Sequence, residues 1–179
     1  MGTADHVHLG VDSKTSAAPV LFSGQRWPGK ALLYAWLAAG TLDILAAFAT
    51  AAPKGIAPLS ILKAIASGVL GTKAFRSGGS GLDIAILGLL LHFAIMLGVA
   101  AVFWFASRRL RFLLAKPVAW GLLYGIAVYA FMNLVVLPLS AIAFKPSYSW
   151  SSLTVGIVVH MLCVGLPIAL ILSKCDANR

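Results

Sequence analysis

The chain contains no glutamate, and charged residues of any kind make up only 11% of its 179 positions. A soluble domain carries about 25%, so this scarcity excludes a surface solvated mainly by water. Acid is confined to five aspartates, Asp5, Asp12, Asp43, Asp83 and Asp176, and they form no paired-carboxylate motif. Cysteine is nearly absent too. Cys163 lies in the last apolar run and Cys175 in the tail after it. Twelve helical residues set them roughly 18 Å apart, which excludes a disulfide between them, and no metal-type cysteine spacing occurs. Also missing are a Gly-x-Ser-x-Gly element and a phosphate-binding Gly-rich loop, and Ser140 and Cys163 have no catalytic context. The residues therefore do not point to an enzyme.

What is present is apolar. Hydrophobic residues make up 60% of the chain and the mean hydropathy is +0.95. The length bounds the chain to one domain. A net charge of +9 is the kind of balance that marks nucleic-acid binders. Here, however, the basic residues occupy the gaps between apolar runs, where membrane proteins keep them. Nucleic acid is excluded as a partner on that ground, and the lipid bilayer is the expected one.

Residues 1–29 are polar and irregular, rich in Ser, Gly and Thr, and are expected to be disordered. The Asp5-His6-Val7-His8 stretch within them reads as inert surface histidine. Four apolar runs follow at 30–52, 82–107, 117–143 and 152–173, each long enough for a spanning helix of about 20 residues. Pro117 suits the first turn of the third. Ala49-Thr50-Ala51 has the form of a signal-peptide cleavage site, but the polar leader is too long and Asp43 interrupts the run, so the first helix is read as uncleaved. Residues 56–75 are apolar but carry Lys63 and Lys73. Leu59, Leu62, Ile65, Ala66 and Val69 fall on one helical face there, which predicts an interfacial or shallow re-entrant helix. Residues 77–81 then form a Ser-Gly hinge. The predicted fold is all-α: a polytopic membrane protein with four transmembrane helices and this shorter helix between the first two.

Orientation follows from the Lys/Arg bias. The compact cluster Arg108, Arg109, Arg111 and Lys116 marks the middle loop as cytoplasmic, and with four spans both termini share that side. Trp27, Trp104, Trp120 and Trp150 fall near span ends, as an aromatic belt requires.

The spans hold few polar side chains. Asp43, His92, Asn133 and His160 contribute one per helix, all roughly 0.6 of the way across when counted from the cytoplasmic end. A carboxylate near mid-membrane costs several kcal/mol unless paired, hydrated or protonated. The four are therefore expected to face the interior and touch, directly or through water, with Thr41, Tyr124 and Tyr129 as supporting partners. Such a layer is read first as the centre of a transport or accessory role, and other functions remain alternatives. It suits a solute or proton pathway, with Pro138 and Pro167 freeing carbonyls and permitting bends nearby. It also suits a cofactor: His92 and His160 as axial ligands of a haem iron, or with Asp43 as a two-His, one-carboxylate set for a transition metal such as non-haem iron or zinc. A purely structural network between helices is the third reading, and an accessory role, with the layer incidental, the fourth. Gly121 and Gly125, with Ala38, Ala39, Gly40 and Gly156, have the small-residue spacing that lets helices approach closely. They leave a homo-oligomer or a larger membrane complex open.

The segments GTLDILAAF, IASGVLG, LLLHFAIMLG, GLLYGIAVYAFMNLVVLPLS and VVHMLCVGLPIAL resemble a group of small bacterial four-helix membrane proteins, similar in size and layout to the YagU-like inner-membrane proteins. The likeness runs from about Gly40 to Leu170, far beyond one short motif. It implies a four-helix bundle in a bacterial inner (plasma) membrane and implies no reaction.

Overall fold

The computed structural model describes residues 28–76, 81–142 and 149–177. The polar leader with its two histidines, Trp27, most of the Ser-Gly hinge, Lys145 and Arg179 lie outside the described residues. Those described are almost wholly helical, with no strand among them. Four of the helices are long and apolar enough to cross a membrane, and the chain is an integral membrane protein of all-α fold.

Helix α1 (Pro28–Ala51) runs into a 3-10 turn, Ala52–Lys54, that Gly55 closes with a left-handed φ of 70°. The short α2 (Pro58–Leu70) opens on a proline, whose missing N–H is no loss in a first turn, and stops at Gly71, φ 59°. Then come α3 (Leu82–Arg109), a single turn α4 (Phe112–Ala115) and α5 (Pro117–Leu139). Helix α6 (Trp150–Cys175) starts on a capping box. The Ser149 hydroxyl accepts the Ser152 N–H at 3.2 Å, and the Ser152 hydroxyl accepts the Ser149 N–H at 3.0 Å, so two of the donors orphaned at a helix start are satisfied.

Helix α5 ends at Leu139 rather than running to Ala143. Ser140 turns to an extended backbone, and the Ala141 N–H donates to the Gly68 carbonyl of α2 at 2.8 Å. A partner on another element thus takes the amide that a further helical turn would have used.

Helix α1 packs against both α3 and α6, and α6 packs on α5. The core is lopsided. Its members are Ala35 and Ala39 of α1, Met96, Ala100 and Phe103 of α3, Val128 of α5, and Val164, Ile168, Ala169 and Leu172 of α6. All lie in the half of the bundle that holds the Arg108–Lys116 connection. In the other half α5 beyond Val128 and α6 before Val164 bury no residue, and α1 beyond Asp43 buries only Ile44. There α3 is covered instead by α2, through Gly88 against the Leu62 backbone, with Ala85 of α3 and Ala66 of α2 both buried. The bundle is closely packed at one end and, at the other, sparsely packed and in that sense open.

The packed face of α2 keeps Leu62, Ile65 and Ala66 of the apolar stripe that periodicity selects, but not Leu59 and Val69. Ala66 and Ser67 are fully buried, whereas Val69 is 64% exposed and Leu59 36%. Small residues let the α2 backbone approach α3 closely, while the large apolar side chains are left for lipid, which is as apolar as they are.

At the closed end Arg108, Arg109, Arg111 and Lys116 are all exposed. The Arg108 guanidinium lies 5.0 Å from the Trp104 ring centre, a cation–π contact of the kind interfacial aromatics make. Phe112 and Trp120 pack edge to face at 5.0 Å on the same connection.

Candidate functional site

Asp43 sits on the stripe of α1 that faces inward. It follows Ala35 and Ala39 at four-residue intervals, and both are fully buried, so the carboxylate continues a core-facing row. Unlike them it is half-buried, because it stands at the level where the packing stops. It makes no hydrogen bond or ion pair with any described residue. The thiol of Cys163 on α6 lies within electrostatic reach of the carboxylate. Both Cys163 and Cys175 are free thiols.

His92 of α3 is buried, and its Nε2 lies 2.8 Å from the Gly40 carbonyl of α1. A carbonyl accepts only, so Nε2 carries the proton. Gly40 permits this approach because it has no side chain over its carbonyl; a β-carbon there would press on the Phe93 ring at 2.7 Å. One residue on, the Phe93 carbonyl accepts the Trp36 indole N–H at 2.7 Å. Two bonds in opposite directions thus pin α1 to α3.

His160 turns to its own helix, with Nδ1 2.9 Å from the Gly156 carbonyl. Its ring packs edge to face on Tyr129 of α5 at 5.2 Å. Asn133 likewise donates to the Tyr129 carbonyl of its own helix at 2.9 Å.

No hydrogen bond joins any two of Asp43, His92, Asn133 and His160, which corrects the expectation that they satisfy one another directly. In an apolar span the strongest acceptor within reach is a backbone carbonyl, and each donor takes one. His160 and Asn133 both meet Tyr129, one through its ring and the other through its carbonyl.

The supporting partners separate as well. Tyr129 sits beside His160. Tyr124 belongs to the core, donating to the Val99 carbonyl at 2.7 Å and stacking on Phe103. Thr41 is exposed, two residues and thus about 200° round the helix from Asp43.

As a metal centre the residues do not fit: among the described residues no three His, Cys, Asp or Glu side chains converge. His92 is also closed in by Gly40 and Phe93, its Nε2 already engaged.

Two features escaped the residue pattern. Met132–Val136 in α5 and His160–Gly165 in α6 are π-helical turns, a widening often found at functional sites. Each precedes a proline. The Leu137 N–H reaches back to Met132, and the Leu166 N–H to Met161, five residues rather than four. Proline at 138 and at 167 would otherwise press its ring on the carbonyl four residues earlier, and the wider turn relieves that. The second feature is Gly165, where α6 meets α5. A β-carbon there would collide with the Gly121 carbonyl and the Gly125 amide. Gly121 and Gly125 face the same contact, and a β-carbon at Gly156 would meet the Tyr129 ring at 2.5 Å.

No protein-family model, no curated protein and no solved structure matches the chain.

Proposed function

We propose that this is a bacterial inner-membrane protein of transport or accessory type, with both termini cytoplasmic, whose working group is Asp43 at the base of the open half of the bundle. His160 and Asn133 line the same open half. One observation carries the reading: a carboxylate on the inward row of α1, midway along a span, has no hydrogen-bonding or ion-pair partner among the described residues. Such a group is costly in lipid, and its partner is then water, a transferred proton or solute, or another subunit. The basic cluster at the closed end and the likeness to YagU-like proteins support the orientation and the membrane. In this arrangement the open half faces away from the cytoplasm.

The test is water access. In a chain carrying Cys163→Ser and Cys175→Ser, an Asp43→Cys thiol should react with a membrane-impermeant polar reagent, as should the exposed Ser149→Cys at the open end. Labelling at 149 with none at 43 would sink the reading.

His92 has a different role, favoured by its bond to Gly40: it is a structural pin between α1 and α3. His92→Leu should lower stability by about 1 kcal/mol, typical of hydrogen bonds between membrane helices, and leave labelling at position 43 unchanged. Loss of that labelling with the fold intact would instead place His92 in the pathway.

A further inference from the structure

The turn that follows α2 separates its residues onto three faces. Gly71–Phe75 is a 3-10 turn, and the Arg76 N–H donates to the Lys73 carbonyl at its end, at 3.1 Å. Three residues per turn bring the side chains at i and i+3 into line, and exposure follows that period. Gly71 and Ala74 form the packed face: Ala74 is fully buried, and a β-carbon on Gly71 would meet the Ala141 carbonyl at 3.4 Å. Thr72 and Phe75 form a second face and Lys73 and Arg76 a third, all four exposed. Two cations therefore stand in line, about 6 Å apart along the turn's axis, with an exposed aromatic ring beside them. Among the described residues neither cation has an ion-pair partner. Asp83, the one acid described at this end of the bundle, is exposed in the first turn of α3 and pairs with neither. Residues 77–80 contain no acid.

Like charges held on one face repel each other, so the arrangement favours an anion that answers both. Depth says which anion. The turn packs on Ala141, two residues beyond the end of α5, and leads towards the start of α3 at Leu82. It therefore lies where two spans leave the hydrocarbon. The anion at that level is the phosphate of a lipid headgroup, which attracts basic residues beside a span. A guanidinium binds phosphate through paired hydrogen bonds and an ammonium as a point charge, while an aromatic ring next to them enters the acyl boundary. We propose that Lys73, Arg76 and Phe75 form a binding surface for an anionic phospholipid, the two cations on its phosphate and the ring against its acyl chains. This surface is separate from Asp43 and does not depend on the transport reading.

The experiment follows the apparent melting temperature of the full chain in detergent as one of three additives is titrated in. These are phosphatidylglycerol, phosphatidylcholine with the same acyl chains, and inorganic phosphate. Phosphatidylglycerol should stabilise saturably, by about 5 °C or more at roughly a hundredfold excess over its dissociation constant, and the other two should not. Lys73→Gln combined with Arg76→Gln should raise the phosphatidylglycerol midpoint about thirtyfold, since each cation beside a lipid surface contributes about a factor of five. Lys73→Arg combined with Arg76→Lys keeps both charges and should retain most of the binding. Both side chains are exposed, so without lipid these variants should melt like the unmodified chain. Arg109→Gln combined with Arg111→Gln removes the same charge at the other end and should leave the midpoint nearly unchanged. Equal melting in all three additives would overturn the proposal. So would equal stabilisation by phosphatidylcholine, which reports acyl chains alone, or by inorganic phosphate, which reports a free-anion site. An equal loss from the pairs at the two ends would overturn it as well, because the lipid would then be answering net charge.

Discussion

Gly165→Ala should destabilise the bundle by about 2 kcal/mol, although alanine is the better helix former by about 1 kcal/mol. Two effects oppose each other at this position. The propensity gain is available at any glycine inside a helix. Overpacking costs about 1–3 kcal/mol, and here the colliding groups are the Gly121 carbonyl and the Gly125 amide. Those are backbone atoms of a neighbouring helix and cannot rotate away, so the collision prevails and α5 must move off α6. Gly98, in the middle of α3, has nothing within 4 Å of a β-carbon and makes the internal control. Gly98→Ala should be neutral or slightly stabilising. Both variants are read by thermal unfolding in one detergent, and a Gly165→Ala chain as stable as Gly98→Ala would show that the contact does not limit packing.

Gly88→Leu should detach α2. A β-carbon at position 88 would run into the Leu62 carbonyl, and a leucine adds three further carbons to that collision. The atoms it would strike belong to the α2 backbone, so the cost falls on the docking of α2. Ser67 is fully buried at that junction and provides the readout. In a chain lacking its native cysteines, Ser67→Cys should resist a thiol reagent on its own and react when combined with Gly88→Leu. Equal protection in both would mean that α2 is held by its other contacts, such as the Ala141 amide on the Gly68 carbonyl. The release also frees the end of α5.

Some of the site was legible before any fold existed. Asp43, His92, Asn133 and His160 stand out because polar side chains are rare in long apolar runs, and the proline–carbonyl argument at Pro138 and Pro167 needs only their position in a helix. What could not be read was which group each would meet. His92 finds Gly40 because a glycine on a different helix leaves its carbonyl uncovered, and nothing local to either residue announces that. The stripe on α2 was only partly right, for a related reason. In water a helix buries its large apolar side, but in lipid that side is already among equals, and the small side packs.

Length and hydropathy, properties of each segment alone, determine the four spans, the short helix between the first two and the absence of any strand among the described residues. Those outcomes follow from the requirement that a backbone in hydrocarbon satisfy its own hydrogen bonds, which only local helix formation meets here. Tertiary structure decided the closed and open halves, and the pairing of His92 with the Gly40 carbonyl of another helix. These depend on how closely two backbones approach, which is set jointly by glycines and rings far apart in the chain.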